Sequence, residues 1–372
     1  MKILITGDFC PINRGGETLE NGSLFESLKD IISEADLRIT NLECPLTDCK
    51  TSIPKTGPAL KSSPKYASML KRGGFNMVTL ANNHIMDYGG EGLKDTIDEL
   101  IKSDIDFIGA GSADGEIDVL YKEHDGLKVA IVNLCENEWS TQEMNGYKAN
   151  GFSEISAFYS LKKARENADK VIVIHHGGHE MYNFPSPRMK RVFRYFIDCG
   201  ADAVINHHTH CVGGYEVYNG NPIFYSLGNF VFDKADKQNS LWNYGMAVVL
   251  TLKKDFINFE VHYFNQFSEE PTLTLVEESD LPYNLEEINR IIGDDILIEE
   301  KFHKFMLNSS KMYNSYLEPI RSKHYLALKN RGFLPSIWNK RKRLYLQNLI
   351  KCESHREVII KMLENENSHT QK

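Results

Sequence analysis

Residues 171–180 read Val-Ile-Val-Ile-His-His-Gly-Gly-His-Glu, and residues 203–210 read Ala-Val-Ile-Asn-His-His-Thr-His. Each is a short, mostly β-branched apolar run that stops on histidines. Such a run suits a strand buried on both faces, which leaves the polar residues after it in the loop at the strand's carboxyl end. Between the two lies Pro187–Cys199, apolar at helical spacing, which opens with proline in its first turn and closes before Gly200. Strand, helix, strand in this order is the unit from which parallel sheets are built.

Outward from this unit the theme repeats. Lys2–Thr6, Leu37–Asn41, Met77–Leu80, Asp106–Ile108 and Val129–Leu134 read as further strands, with helices expected at Ser23–Ile32, Glu91–Ser103 and Glu154–Asn167. The alternation predicts an α/β fold. After residue 210 the pattern changes. Tyr215–Tyr218 and Pro222–Tyr225 flank Asn219-Gly220-Asn221 as a tight hairpin, and Met246–Leu252 and Ile257–Phe264 read as antiparallel strands. The expected architecture is a two-sheet core flanked by helices, an αββα sandwich. From about residue 282 the chain turns to charged segments of helical period: Leu285–Leu297, Glu299–Ser315, Glu318–Arg331 and Ile337–Leu363. The expected organisation is therefore a domain over 1–281 and a helical subdomain over 282–372, with a disordered tail at Asn365–Lys372.

With 372 residues, 41% hydrophobic and 25% charged, the composition is that of a globular protein with room for a large core. The net charge of −8 argues against a nucleic-acid binder, which would show a high pI. The basic stretch Trp338–Arg343 accordingly reads as a solvated helix face. The N-terminus turns polar too quickly for a signal peptide, and no run approaches the roughly 18 apolar residues of a membrane span. Seven scattered cysteines without a CxxC pair fit a reducing compartment, and a cytoplasmic location is expected.

The chemistry lies where strands end. Asp8, Glu43, Asn83 with His84, His175 with His176, and His208 with His210 each follow a strand candidate. Sites in open α/β sheets form beyond the carboxyl ends of strands, so these loops can converge. Singly, Asp8 could be a turn residue and Glu43 an exposed carboxylate. Together, seven of the thirteen histidines (positions 84, 175, 176, 179, 207, 208 and 210) stand just past a strand, which satisfied core histidines would not do. Carboxylates, an amide oxygen and neutral imidazoles bind Mn, Fe or Zn. Two such ions can activate water and neutralise charge on both oxygens of a displacement, which suits a phosphoester or similar bond in an anionic substrate. A closed structural zinc site is the competing reading.

Gly7-Asp8, Asn41-Leu42-Glu43-Cys44-Pro45-Leu46-Thr47, Leu80–Gly89 with its Asn82-Asn83-His84-Ile85-Met86-Asp87-Tyr88 core, His175–Glu180, Pro185–Arg188, His207–His210 and Ser226-Leu227-Gly228-Asn229-Phe230 follow one another in the chain. In that order they resemble the CapA, or PGA_cap, family, which is named for capsule and poly-γ-glutamate synthesis and is similar in fold to calcineurin-like metallophosphoesterases. The resemblance covers roughly residues 2–235 and leaves the helical C-terminus aside. It implies two divalent ions held by Asp8, Glu43, Asn83, His175, His208 and His210, with His84 as general acid or oxyanion stabiliser and Asp87 orienting it. Phosphoesterases begin with Asp-x-His, whereas Asp8-Phe9-Cys10 puts a thiol at the third place, as a soft ligand or as buried filler. Glu43 stands where the bridging residue is usually Asp. Arg188, Tyr88 and His179, with Lys55 and Lys61, are candidates for contact with a small or polymeric anionic substrate. The function implied is a metal-dependent hydrolase in capsule or exopolymer synthesis. Hydrolysis of a γ-glutamyl amide and a non-catalytic, metal-bearing accessory role are the alternatives.

Overall fold

The computed structural model describes residues 1–20, 22, 24–316, 322–335 and 338–351. The chain divides into two compact units, Met1–Glu299 and Glu300–Lys372.

The first unit follows from how its strands alternate. Ile3 and Ile5 face one side of the strand Lys2–Cys10 and Leu4 the other, because successive side chains in a strand point to opposite faces. In Lys170–His176, Ile172 and Ile174 share the layer of Ile3 and Ile5, whereas Val171 and Val173 face away from it. Both strands are apolar on both faces, so each sheet must be covered twice. The result is a four-layer sandwich. One apolar layer, with Ile39, Met77, Ile131, Ile205 and Val248, fills the space between two sheets. A second lies between the first sheet and its helices (Leu42, Val78, Leu93, Leu100), and a third between the second sheet and its own (Val132, Leu161, Phe193, Phe196). The αββα expectation is met.

The first sheet has eight strands. Lys2–Cys10, Leu37–Leu42, Met77–Thr79 and Asp106–Ile108 pair in parallel, and Tyr244–Leu252, Ile257–Gln266 and Leu273–Val276 extend it antiparallel. The eighth, Asn229–Phe232, pairs with the end of Lys2–Cys10. The second sheet runs Tyr215–Tyr218, Asn221–Phe224, Ala203–His207, Lys170–His176, Leu127–Cys135, Val119–His124. Its hairpin closes through Asn219 and Gly220, both at positive φ (51° and 81°), the conformation that a tight two-residue turn requires.

Helix Glu154–Asn167 has the expected bounds. The segment expected as one helix over 23–32 is instead a 3-10 turn Glu26–Leu28 followed by helix Lys29–Glu34. The compact unit runs past the compositional change at 282: helix Leu285–Gly293 buries Ile288, Ile291 and Ile292 in the outer layer of the second sheet. In the second unit, helix Lys323–Asn330 falls within the expected segment 318–331 and Lys340–Lys351 within 337–363. The tail at 365–372 lies outside the described residues.

Phe230 is fully buried at the centre of an aromatic cluster, with ring centroids 5.5 Å from Phe25, 5.4 Å from Phe75 and 5.5 Å from Phe264. Truncation leaves a cavity that these rings cannot fill. Phe230→Ala is expected to cost about 3–5 kcal/mol, read as a lowered urea midpoint at unchanged slope.

Candidate metal centre

The first sheet delivers Asp8 and Glu43 to the site. Asp8 lies where Lys2–Cys10 leaves its regular register, and its N–H donates to the Gly228 carbonyl at 3.0 Å. A Cβ on Gly7 would stand 2.1 Å from that oxygen, so only glycine lets the two segments come this close. Asp8 Oδ1 accepts from Asn41 Nδ2 at 2.7 Å and Oδ2 accepts from the His208 N–H at 3.2 Å. His207 Nδ1 and His210 Nδ1 each stand 3.5 Å from a carboxylate oxygen of Asp8. Glu43 is wholly buried and neither of its oxygens has a hydrogen-bond partner. Its Oε1 is 3.5 Å from His176 Nε2 and 3.8 Å from His210 Nε2.

The second sheet supplies the imidazoles. His176 ends its strand with Nε2 3.0 Å from Asn83 Oδ1 and 3.1 Å from His208 Nδ1. His208 and His210 adopt positive φ, 90° and 55°, a backbone that non-glycine residues rarely take. This turns both rings back toward the carboxylates, and such strain is characteristic of functional loops. Asn229 Oδ1, 2.9 Å from His210 Nδ1, orients that ring.

These donors fall into two groups. Asp8, Glu43 and His210 form one; Glu43, His176 and His208 form the other; within each, the ligand atoms lie within 4.8 Å of one another. Glu43 belongs to both, and Asn83 adjoins the second. Burial lowers the affinity of His176, His207 and His208 for a proton, His208 down to about 4, so the imidazoles are neutral and their lone pairs are free to bind. Burial would also push the Asp8 carboxyl up, but hydrogen bonding to His210 and Asn41 and the neighbouring histidines hold it below its ordinary value. Glu43 goes the other way: burial first, then the charge of Asp8, raises it well above the usual range. Two unbonded buried oxygens amid neutral imidazoles are costly by themselves and are satisfied by cations. The donor set is of the kind that could hold divalent metal, with Glu43 common to both groups.

Beside them, His84 places Nδ1 2.6 Å from Asp87 Oδ2. Asp87, fully buried, also accepts from the Leu60 N–H at 2.7 Å and from Lys55 Nζ at 2.5 Å. A carboxylate only accepts, so His84 donates from Nδ1 to Asp87, and its Nε2 is the nitrogen without the proton. Burial keeps the ring below its ordinary pKa despite Asp87.

Several expected site residues lie elsewhere. His175 belongs to the opposite face of its strand: its ring packs 5.1 Å from Phe193 and 6.2 Å from Phe152, and its Nδ1 bonds Asn206 Oδ1 at 2.7 Å. His176 takes the place expected for it, because consecutive residues of a strand cannot share a face. Cys10 is outside both donor groups, in the apolar layer with Cys44, and burial pushes its thiol well up. Arg188 pairs with Glu136, whose other oxygen accepts from the Gly178 N–H at 3.0 Å; it ties down the loop after His176. Lys55 is buried against Asp87, so it positions the dyad. Lys61 Nζ rests 4.9 Å above the Tyr88 ring and bonds the Cys49 carbonyl at 2.5 Å. His179 contacts the Tyr182 ring, 6.4 Å away. His207 stood among the strand-end histidines without a role of its own, and none was given to Asn41 or to Trp242, whose ring is tilted 40° to that of His210 with centroids 4.4 Å apart. Asn41 stood inside a quoted motif; nothing in the sequence marked Trp242.

The model of the family described as bacterial capsule synthesis protein PGA_cap matches residues 2–234. Capsule biosynthesis protein CapA of Bacillus anthracis is 34% identical over 223 residues, 57% of this chain and 54% of that protein. PGA biosynthesis protein CapA of Bacillus subtilis is 33% identical over 218 residues, 57% of each. The chain thus spans little more than half the length of these curated relatives. Among solved structures, a novel phosphatase from Mycoplasma pneumoniae aligns with 72% of this chain and 95% of its own at 17% identity and a TM-score of 0.48. The family match ends before strand Tyr244–Leu252 and all helices after it.

Proposed function

The chain belongs to the bacterial capsule synthesis protein PGA_cap family, and from that premise we propose that it is a metal-dependent hydrolase of the phosphoesterase type acting in capsule or exopolymer synthesis. The observation that carries this reading is Glu43: a buried carboxylate with both oxygens unbonded, common to two donor groups. Asp8, Glu43 and His210 would hold one ion, and Glu43, Asn83, His176 and His208 the other. Divalent ions there supply Lewis acidity and a water made acidic enough to act as nucleophile at neutral pH. The chain's own residues do the rest. Asp87 holds the His84 ring and its tautomer, so that Nε2 meets the oxygen on which charge or a proton changes during bond cleavage. Lys55 in turn holds Asp87 and places positive charge 3.4 Å from His84 Nδ1, which favours an anionic substrate. A solely structural ion has no use for such a dyad. The described cysteines are free thiols, which supports a cytoplasmic placement within the same proposal.

The position of Cys10 supports a second reading. With that thiol outside the donor groups, the first group has one side chain fewer than the second once Asn83 is counted, and an accessory protein bearing a single ion would keep the fold without turnover.

The test is metal content of protein purified without added ions, alongside hydrolysis of an aryl phosphodiester and monoester with Mn²⁺. Near two equivalents of metal and turnover are expected. His84→Ala is expected to lower kcat by about 10²–10⁴-fold while leaving the metal content unchanged. One equivalent of tightly held zinc without turnover of either ester would favour the accessory reading.

A further inference from the structure

A cavity of about 550 Å³ lies on the helix-covered face of the first sheet. Arg38 lines it from the beginning of strand Leu37–Leu42, whose other end delivers Glu43 to the metal centre. None of the metal donors reaches it. Its apolar walls come from Leu19, Leu24, Phe25, Ile32 and Met69. Two glycines hold these walls in place. A Cβ on Gly73 would stand 2.3 Å from the Phe25 ring, and one on Gly74 would stand 2.5 Å from Ile32, so the chain after helix Tyr66–Arg72 packs directly on both. The cavity is therefore preformed, and its size falls in the range of about 300–1,000 Å³ in which small organic ligands are enclosed.

The charges around it do not cancel. Its two acids are already paired. Glu20 Oε1 accepts from the Tyr66 hydroxyl at 3.0 Å and stands 2.7 Å from Lys65 Nζ, and Glu26 stands 3.3 Å from Lys29 Nζ. Arg38 and Arg72 also line the cavity, and among the described residues neither has a carboxylate partner. Arg38 Nη1 donates to the Ala35 carbonyl at 3.1 Å, but its Nε is buried and bonded to nothing. A buried guanidinium nitrogen without an acceptor is costly, and groups of this kind are normally satisfied by water, an ion or a ligand.

We propose that the cavity binds a small organic anion, with a carboxylate or phosphate head held by Arg38 and Arg72 and an apolar body against the walls. The planar fork of a guanidinium matches either head in two-point contact. An inorganic ion alone would make no use of the apolar walls, and a neutral apolar molecule would leave Arg38 Nε unbonded. The ligand is distinct from the substrate of the metal centre, because the two sites lie at opposite ends of strand Leu37–Leu42. Phe25 nevertheless connects them: its ring stacks 5.5 Å from Phe230, one residue after the Asn229 that orients His210. An occupant would thus touch the packing behind the first donor group, whatever reaction the centre performs.

The test is calorimetric titration of the full chain with octanoate and octyl phosphate, with octanamide and acetate as controls, in Mn²⁺ and in chelator. One octyl anion per chain is expected to bind, equally in both conditions, and octanamide and acetate at least about tenfold more weakly. Tighter binding of octanoate or of octyl phosphate identifies the preferred head, and either supports the site. Arg38→Gln is expected to weaken the preferred anion by about 10–100-fold, with the urea midpoint reporting on folding. Arg72→Glu changes an exposed side chain, which leaves the fold intact, and is expected to weaken it on the order of tenfold. No saturable binding of either octyl anion in the millimolar range, octanamide binding as tightly as octanoate, binding that requires Mn²⁺, or binding unchanged in Arg72→Glu would each overturn the proposal.

Discussion

Glu43→Gln is expected to abolish turnover and to reduce bound metal from about two equivalents to below one, although the substitution preserves the shape of the side chain. Outer-shell partners of a metal commonly contribute about 10–100-fold to affinity, and a charged ligand shared by two ions contributes more to each. Affinity of both ions is therefore expected to fall by more than about 100-fold. Stability provides the decisive contrast. Metal at 100 times its dissociation constant stabilises the wild type by about 2.7 kcal/mol, on the order of 5 °C in Tm for a unit of this size. That increment is expected to vanish in the variant. In chelator the order reverses. The wild-type carboxylate then sits wholly buried with both oxygens unbonded, and burial together with the charge of Asp8 disfavours its ionised form. The neutral amide escapes that penalty, so metal-free Glu43→Gln is expected to equal or exceed the metal-free wild type, by about 1 kcal/mol. Thermal melts of both proteins with Mn²⁺ and with chelator check the reversal. A variant less stable than wild type under both conditions would show that Glu43 serves the fold and not an ion pair.

The adjacent histidines separate in the same experiments. His176→Ala is expected to empty the second donor group, with metal content reduced to one equivalent or less and kcat lowered by at least about 10²-fold. His175→Ala is expected to leave metal content unchanged and to destabilise instead. Its ring is 2% exposed among Phe152, Phe193 and Phe196, and its removal leaves a cavity and an unbonded Asn206 Oδ1. By analogy with aromatic truncations, about 3–4 kcal/mol is expected, read as a lowered urea midpoint. Metal analysis beside urea titration of the two single variants distinguishes ligand from packing. Loss of metal in His175→Ala with full metal in His176→Ala would overturn the assignment.

That pair also shows how far the sequence could be read. Val171, Val173 and His175 share one parity and Ile172, Ile174 and His176 the other, so the alternation was legible. Which parity faced the site was not. Both faces of the strand are equally apolar because both are covered, one by the opposite sheet and the other by helices. Amphipathic contrast, the usual guide to orientation, is missing in such a strand. Asp8, Glu43, Asn83, His84, His208 and His210 were marked by their position after apolar runs. Lys55 was singled out for substrate contact, yet its contact with Asp87 spans 32 residues and could not be read from spacing.

What the sequence determined by itself was the class of fold, the family and the chemical types of donor at the site. Those depend on local patterns: apolar periodicity, the polar residue that ends each run, and motifs in a constant order. Tertiary structure decided which donors meet. Strands Lys2–Cys10 and Leu37–Leu42 of one sheet and Lys170–His176 and Ala203–His207 of the other bring Asp8 and Glu43 within reach of His176, His208 and His210, with Asp8 and His208 200 residues apart in the chain. The physical reason is that a metal centre is defined by distances of a few ångströms between side chains. Those distances follow from how two twisted sheets pack and from two histidines held at positive φ, and neither is encoded in the spacing of residues along the chain.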